Sequence, residues 1–259
     1  MDLFTIEYIT AAFLIFVRVS SMMMTAPFFS TAVFPVQVKI FFALVTSVLL
    51  YPVIPAQNVM LDVDTTFVEL LFIIIQEILI GVALGLVGQL IFAALELSGS
   101  LISIQAALRF ANVVDTMSQQ QTAVVSNIFS MLAIIYFLVI EGDKVYIMAL
   151  ARSFETVPVS TAQLTEASPI FIQMATRLFI NGVQIASPFL IVFFMLNLSF
   201  AIFARIMPQA NIFFIALPVK VGVGLIMLVL IVPYLPVAFD MLFQSMFDYL
   251  SRVLDLIAP

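Results

Sequence analysis

The chain has 259 residues, of which 64% are hydrophobic and only 9% charged, with a net charge of −6 and a mean hydropathy of +1.25. That composition is too apolar for an ordinary soluble domain and marks an integral membrane protein. The acidic balance, with basic residues scattered singly, excludes a nucleic-acid-binding face and a polybasic lipid patch; the absence of Cys and His removes disulfides, thiolate or imidazole metal sites and every His- or Cys-based nucleophilic mechanism.

The N-terminus, MDLFTIEYIT, has no positive segment and carries Asp2 and Glu7, so it reads as the start of the first helix and not as a cleaved signal peptide. Leu3 to Met24 is long enough to span the bilayer, yet holds Glu7 and Arg18. Their spacing is close to three whole turns, which places both on one face but too far apart to pair. Either that face meets protein, or the two side chains snorkel from opposite helix ends. Pro27, Pro35, Pro52 and Pro55 then punctuate the chain, and the run Ile40 to Leu50, headed by Lys39, is short for a full span. It suits half of a hairpin.

After the polar stretch Gln57 to Thr66 comes the longest apolar run, Phe67 to Leu108. As one straight helix it would be roughly 63 Å long, about twice the bilayer core, so it must tilt, bend or leave the membrane. Ser98, Gly99 and Ser100 mark the expected bend. Glu77, Gly81, Gly85, Gln89 and Ala93 recur every fourth residue, a stripe of the kind that lets helices approach backbone to backbone. A carboxylate at Glu77 in this setting requires a partner or a wet cavity.

Gln105 to Thr122, QAALRFANVVDTMSQQQT, interrupts two long apolar arms. So many polar groups cannot lie bare in hydrocarbon. Two readings fit: an ordinary solvated loop, or a plug that closes a pore through Gln105, Arg109, Phe110, Asn112, Asp115, Met117, Gln119, Gln120 and Gln121. Ala123 to Ile140 is a clean helix candidate, ending at Glu141, Gly142 and Asp143; Lys144 to Ala167 reads as a helix followed by a loop. From Pro169 to Ala204 the apolar run contains Arg177, Asn181, Gln184, Ser187, Asn197 and Ser199, too many polar groups for a lipid-facing helix. Arg177, Asn181 and Gln184 share a face. Last, Asp240 to Ile257 separates Asp240, Gln244, Asp248, Arg252 and Asp255 from Phe239, Leu242, Phe243, Met246, Phe247, Leu250 and Leu254, an amphipathic helix for the membrane interface or a partner subunit.

The most specific stretch is Arg205 to Gly224, RIMPQANIFFIALPVKVGVG, in which Pro208 stops one helix, Pro208 to Asn211 make a tight connection, and Pro218 kinks the next helix before Lys220. With Arg205, Pro208, Gln209, Asn211, Pro218 and Lys220 it resembles the FliR family of flagellar biosynthesis proteins and its type III secretion counterparts. Arg18, Pro27, Pro35, Lys39 and Pro52 look like that family's N-terminal pattern, and Glu77, Gly81, Gly85, Gly99 and Gln105 like its central one. Ala106, Thr116 and Ala216 depart from it, where the family tends to have Gly, Pro and Gly.

The resemblance implies an all-α chain over residues 1–259. Helical hairpins occupy 1–104 and 123–239, a plug loop 105–122 and an amphipathic helix 240–257. It implies one copy in a helical, pore-forming export gate of the bacterial inner membrane at the flagellar basal body, partly raised toward the periplasm. The implied partners are FliP, FliQ, FlhB and FlhA, the cargo is unfolded flagellar protein, and neither enzymatic step nor cofactor is expected. Glu77, Gly81, Gly85 and the Arg205–Lys220 residues would then serve helix packing and subunit contact. The rival reading is a secondary transporter or proton channel built on Glu77, Arg177 and Lys220. An intramembrane aspartic protease fails for want of a second Asp in a comparable helix near Asp115.

Overall fold

The computed structural model describes residues 6–30, 35–55, 58–59, 66–108, 124–162, 168–209 and 211–258. These form an all-α protein: α1 (Ile6–Thr25), α2 (Pro27–Ser30), α3 (Val36–Leu50), α4 (Phe67–Gln105), α5 (Val124–Val139), α6 (Gly142–Thr156), α7 (Ser168–Ile206), α8 (Ile212–Ile231) and α9 (Leu235–Ile257), with a single 3₁₀ turn at Val232–Tyr234 before α9.

The prolines set the boundaries because each removes a backbone donor and fixes its own φ. Pro27 opens α2, and Pro35 immediately precedes α3, its carbonyl accepting from Val38 and Lys39. Pro52 follows the end of α3, and Pro208 follows the end of α7. Inside α7, Pro188 leaves the Gln184 carbonyl without its helical N–H, and the Ser187 hydroxyl donates to that carbonyl at 2.7 Å. The helix therefore continues. At the head of α4, Glu69 accepts the Thr66 N–H at 2.8 Å, a reciprocal cap for one orphan donor. Between α5 and α6 the axis turns by 70°. Glu141 makes the corner at φ 57, and Gly142 beyond it leaves room for the Phe137 ring, which a Cβ would strike.

Helix α4 is a single helix through Ser98, Gly99 and Ser100. The small residues serve close approach: a Cβ on Gly99 would lie 2.6 Å from the Ser126 nitrogen of α5. The Ser126 hydroxyl donates to the Glu96 carbonyl at 3.0 Å across the same contact. α8 likewise continues through Pro218. The amphipathic C-terminal helix begins at Leu235, earlier than Asp240, and buries Leu235, Phe239, Leu242, Phe243, Met246, Leu250, Val253, Leu254 and Ile257, with Phe247 only half-buried.

The chain folds as two compact units, Met1–Ile91 with Phe137–Ala175 and Phe243–Pro259, and Phe92–Tyr136 with Thr176–Leu242. In the first, α1 packs along α3 and α4, and the Phe243 ring lies 5.4 Å from that of Phe137. In the second, Gly182 of α7 meets Ala94 and Leu97 of α4, and the Tyr136 and Phe239 rings stand 5.9 Å apart.

Among the described residues, four helical stretches are long and apolar enough to cross a membrane. They differ in how much the chain itself covers them. In the most apolar window of α4, 44% of residues are buried, against 11% for Pro169–Ile206 and 6% for Ile212–Ile257. α4 is thus a core helix, whereas α7 and α8 keep Phe179, Ile191, Phe194, Phe214, Ile226 and Val229 exposed. Apolar surface on that scale requires a cover of lipid or protein.

Candidate functional site

The first compact unit is built around a buried ion pair. Arg18 of α1 and Glu77 of α4 are both fully buried, and the guanidinium meets the carboxylate through two bonds, Nε to Oε2 at 2.5 Å and Nη2 to Oε1 at 2.9 Å. Its remaining donors reach the end of α6. Nη1 donates to the Ser153 carbonyl at 2.9 Å and to its hydroxyl at 3.2 Å, and Nη2 to the Val157 carbonyl at 3.1 Å. The Phe154 ring centroid lies 4.0 Å from the guanidinium carbon. All five N–H groups of Arg18 are therefore matched to acceptors on α4 and at the end of α6, which is what allows a full charge to sit in an apolar interior.

The glycines of the stripe bring α4 to this distance. A Cβ on Gly81 would collide with the Ser21 hydroxyl and the Arg18 carbonyl, and one on Gly85 with the Thr25 hydroxyl. Ser21 and Thr25 turn their hydroxyls onto their own helix, donating to Arg18 and Ser21 carbonyls at 3.0 and 2.9 Å. They present a polar yet self-satisfied face to the glycines. One turn on, the buried Tyr146 hydroxyl accepts from the Gly88 N–H at 3.0 Å and donates to the Leu84 carbonyl at 2.9 Å, the two groups of a single helical rung. α6 is thereby bonded to α4 directly at Tyr146 and, through Arg18 of α1, to Glu77.

At its other end α4 stops at Gln105. Leu108 N–H closes onto the Ser103 carbonyl at 3.1 Å and Ala107 N–H onto that of Ile104 at 3.2 Å, with Ala107 in the left-handed region at φ 58. Glycine would suit that position better. Ala106 is buried, and a Cβ on Gly224 of α8 would lie 2.9 Å from its own Cβ. The polar segment thus starts from a fixed anchor. Arg109, Phe110, Asn112, Asp115, Met117, Gln119, Gln120 and Gln121 lie outside the described residues.

Around the last hairpin, Arg205, Pro208, Gln209, Asn211 and Pro218 are exposed or partly so, and Lys220 is half-exposed. The chain provides little cover for them. On α7, Gln173, Arg177 and Gln184 are likewise exposed on one face, with Asn181 at its flank. Among the described residues no cluster of acidic side chains is arranged to hold a metal ion.

Residues 9–246 match the family described as Bacterial export proteins, family 1. The chain belongs to this family. It is similar to the flagellar biosynthetic protein FliR of Pectobacterium carotovorum subsp. carotovorum, with 34% identity over 96% of this chain and 94% of that protein. The FliR proteins of Escherichia coli K12 (31% identity, 92% of this chain, 90% of that protein) and Bacillus subtilis 168 (26%, 97% of each) are similar over comparable lengths.

Within this family member, the partner that Glu77 requires is Arg18, so the reading of Arg18 as a snorkelling residue is overturned. Glu77, Gly81 and Gly85 face the chain's own α1. The transporter reading loses its carboxylate, since both Glu77 oxygens are bonded to Arg18, while Arg177 is exposed on α7. Sequence reasoning missed Ser153, Val157 and Tyr146. Their signal was faint: a Ser and a Tyr on the buried side of a mildly amphipathic helix.

Proposed function

We propose that this chain is the single-copy R-type subunit that completes the flagellar protein export channel with FliP and FliQ, in the inner membrane at the basal body, with FlhB and FlhA as neighbours. Unfolded flagellar proteins are the cargo, and this subunit performs no chemical step. The carrying observation is that relatives named for flagellar biosynthesis align along almost the whole chain, while α7 and α8 are left largely uncovered. A helix such as α7, with exposed Arg177 and Gln184 beside exposed Ile191 and Phe194, is poorly suited to lipid. Sister subunits would cover both its apolar and its polar surface.

In this reading the segment Gln105 to Thr122 closes the resting passage. Its Met and amide side chains adapt in shape and so seal reversibly, where a rigid ion-paired plug would resist opening. It hangs from the Ala106–Leu108 turn at the end of α4. Deleting Arg109 to Gln121 raises small-solute leakage through the assembled complex; unchanged leakage in a complex of normal composition refutes the plug.

A further inference from the structure

From Phe92 to Ser103, α4 is enclosed on nearly every side: Phe92, Ala94, Leu95, Ser98, Gly99, Ile102 and Ser103 are buried. Within that stretch Glu96 alone is exposed, and Ala93 and Ser100, one turn before and after it, are half-exposed on the same side. Gln89, seven residues earlier, is exposed and continues the line, and Ile104, one turn beyond Ser100, is exposed at its other end. The Glu96 carboxylate has no ion-pair or hydrogen-bond partner among the described residues. This contrasts with the same helix at Glu77, whose carboxylate is bonded at both oxygens. An unpaired carboxylate on an apolar helix is costly against lipid. Nor does the chain fold to hide it, since α5 and α7 meet α4 at Gly99 and Ala94–Leu97, on other sides.

We infer that the open edge of α4 marked by Glu96, Ala93 and Ser100 lines the water-filled export passage as a cation-favouring wall. The inference rests on the reading of this chain as a passage-forming subunit. Water hydrates the carboxylate, and from Gln89 to Ser100 the line is made of small and polar side chains. Its single negative charge attracts cations to this wall.

The chain has no cysteine, so single Cys variants report accessibility cleanly. Ala93→Cys, Glu96→Cys and Ser100→Cys, with Met117→Cys as reference for the passage and Leu95→Cys and Phe194→Cys as controls, are treated in the assembled membrane complex with charged, membrane-impermeant methanethiosulfonates. Modification is read as a mass tag on this chain. The inference expects positions 93, 96 and 100 to react an order of magnitude faster than 95 and 194. At Ser100→Cys the cationic reagent outpaces the anionic one several-fold, and adding Glu96→Gln abolishes that preference. Labelling at 117 with silence at 93, 96 and 100, or their cross-linking to a neighbouring subunit's helix, overturns the inference while the passage reading stands. Silence at all four positions in a complex of normal composition overturns both.

Discussion

Glu77→Ala is the sharpest perturbation of the buried pair. It leaves the Arg18 guanidinium fully buried with its bonds to Ser153 and Val157 intact but its charge uncompensated. Breaking a buried pair from one side costs about 3–5 kcal/mol, which at about 2–4 °C per kcal/mol for a chain of this size is a loss of roughly 6–20 °C in Tm. Removing both charges with Arg18→Met and Glu77→Leu costs less. The Ser153 carbonyl keeps its bond from Val157 N–H and the Ser153 hydroxyl keeps donating to Leu150, so only the Val157 carbonyl loses a partner supplied by Arg18. That single orphan costs about 1–3 kcal/mol. Far-UV circular dichroism melts of the detergent-solubilised Arg18→Met, Glu77→Leu and double variants complete the cycle, with Glu77→Ala measured beside them. The double variant should be more stable than Glu77→Ala, with a coupling energy of about 3 kcal/mol or more between the sites. Single-variant losses that merely add, to within about 0.5 kcal/mol, would refute the reasoning.

Three further outcomes follow from the packing. Gly81→Ala and Gly85→Ala push α4 off α1 and cost about 1–3 kcal/mol each in the same melts; Gly222→Ala, whose added methyl meets nothing within 4 Å, is neutral or stabilising by up to about 1 kcal/mol. Tyr146→Phe removes the hydroxyl that serves both Gly88 and Leu84, with a loss of about 1–3 kcal/mol and faster amide exchange at Gly88 by hydrogen-exchange mass spectrometry. Ser187→Ala strips the Gln184 carbonyl of the hydroxyl donor that stands in at Pro188, and costs about 1 kcal/mol in thermal stability.

Punctuation and periodicity were legible in the sequence because they are local. Pro27, Pro35, Pro52 and Pro208 mark helix boundaries, and the two-faced pattern from Asp240 onward folds as an amphipathic helix. The four-residue stripe from Glu77 was legible as a packing face, but its partner was not. Arg18 lies 59 residues away, and nothing in either helix's pattern encodes which helix it will meet. Ser98–Gly99–Ser100 is a related case: read alone, small residues mark a weak point of a helix, and their service to the close approach of Ser126 is visible only in the fold. Glu96 escaped notice because burial of everything around it is a tertiary fact. Of the polar stretch Gln105 to Thr122, only Gln105 to Leu108 fall within the described residues.

The most direct test of the assembly reading is native mass spectrometry of the intact detergent-extracted complex, purified through a tag on this chain. The account predicts one copy of this chain bound to several copies of FliP and FliQ, with α7 and α8 covered by those neighbours. A stable monomer that restores motility without such partners would contradict it.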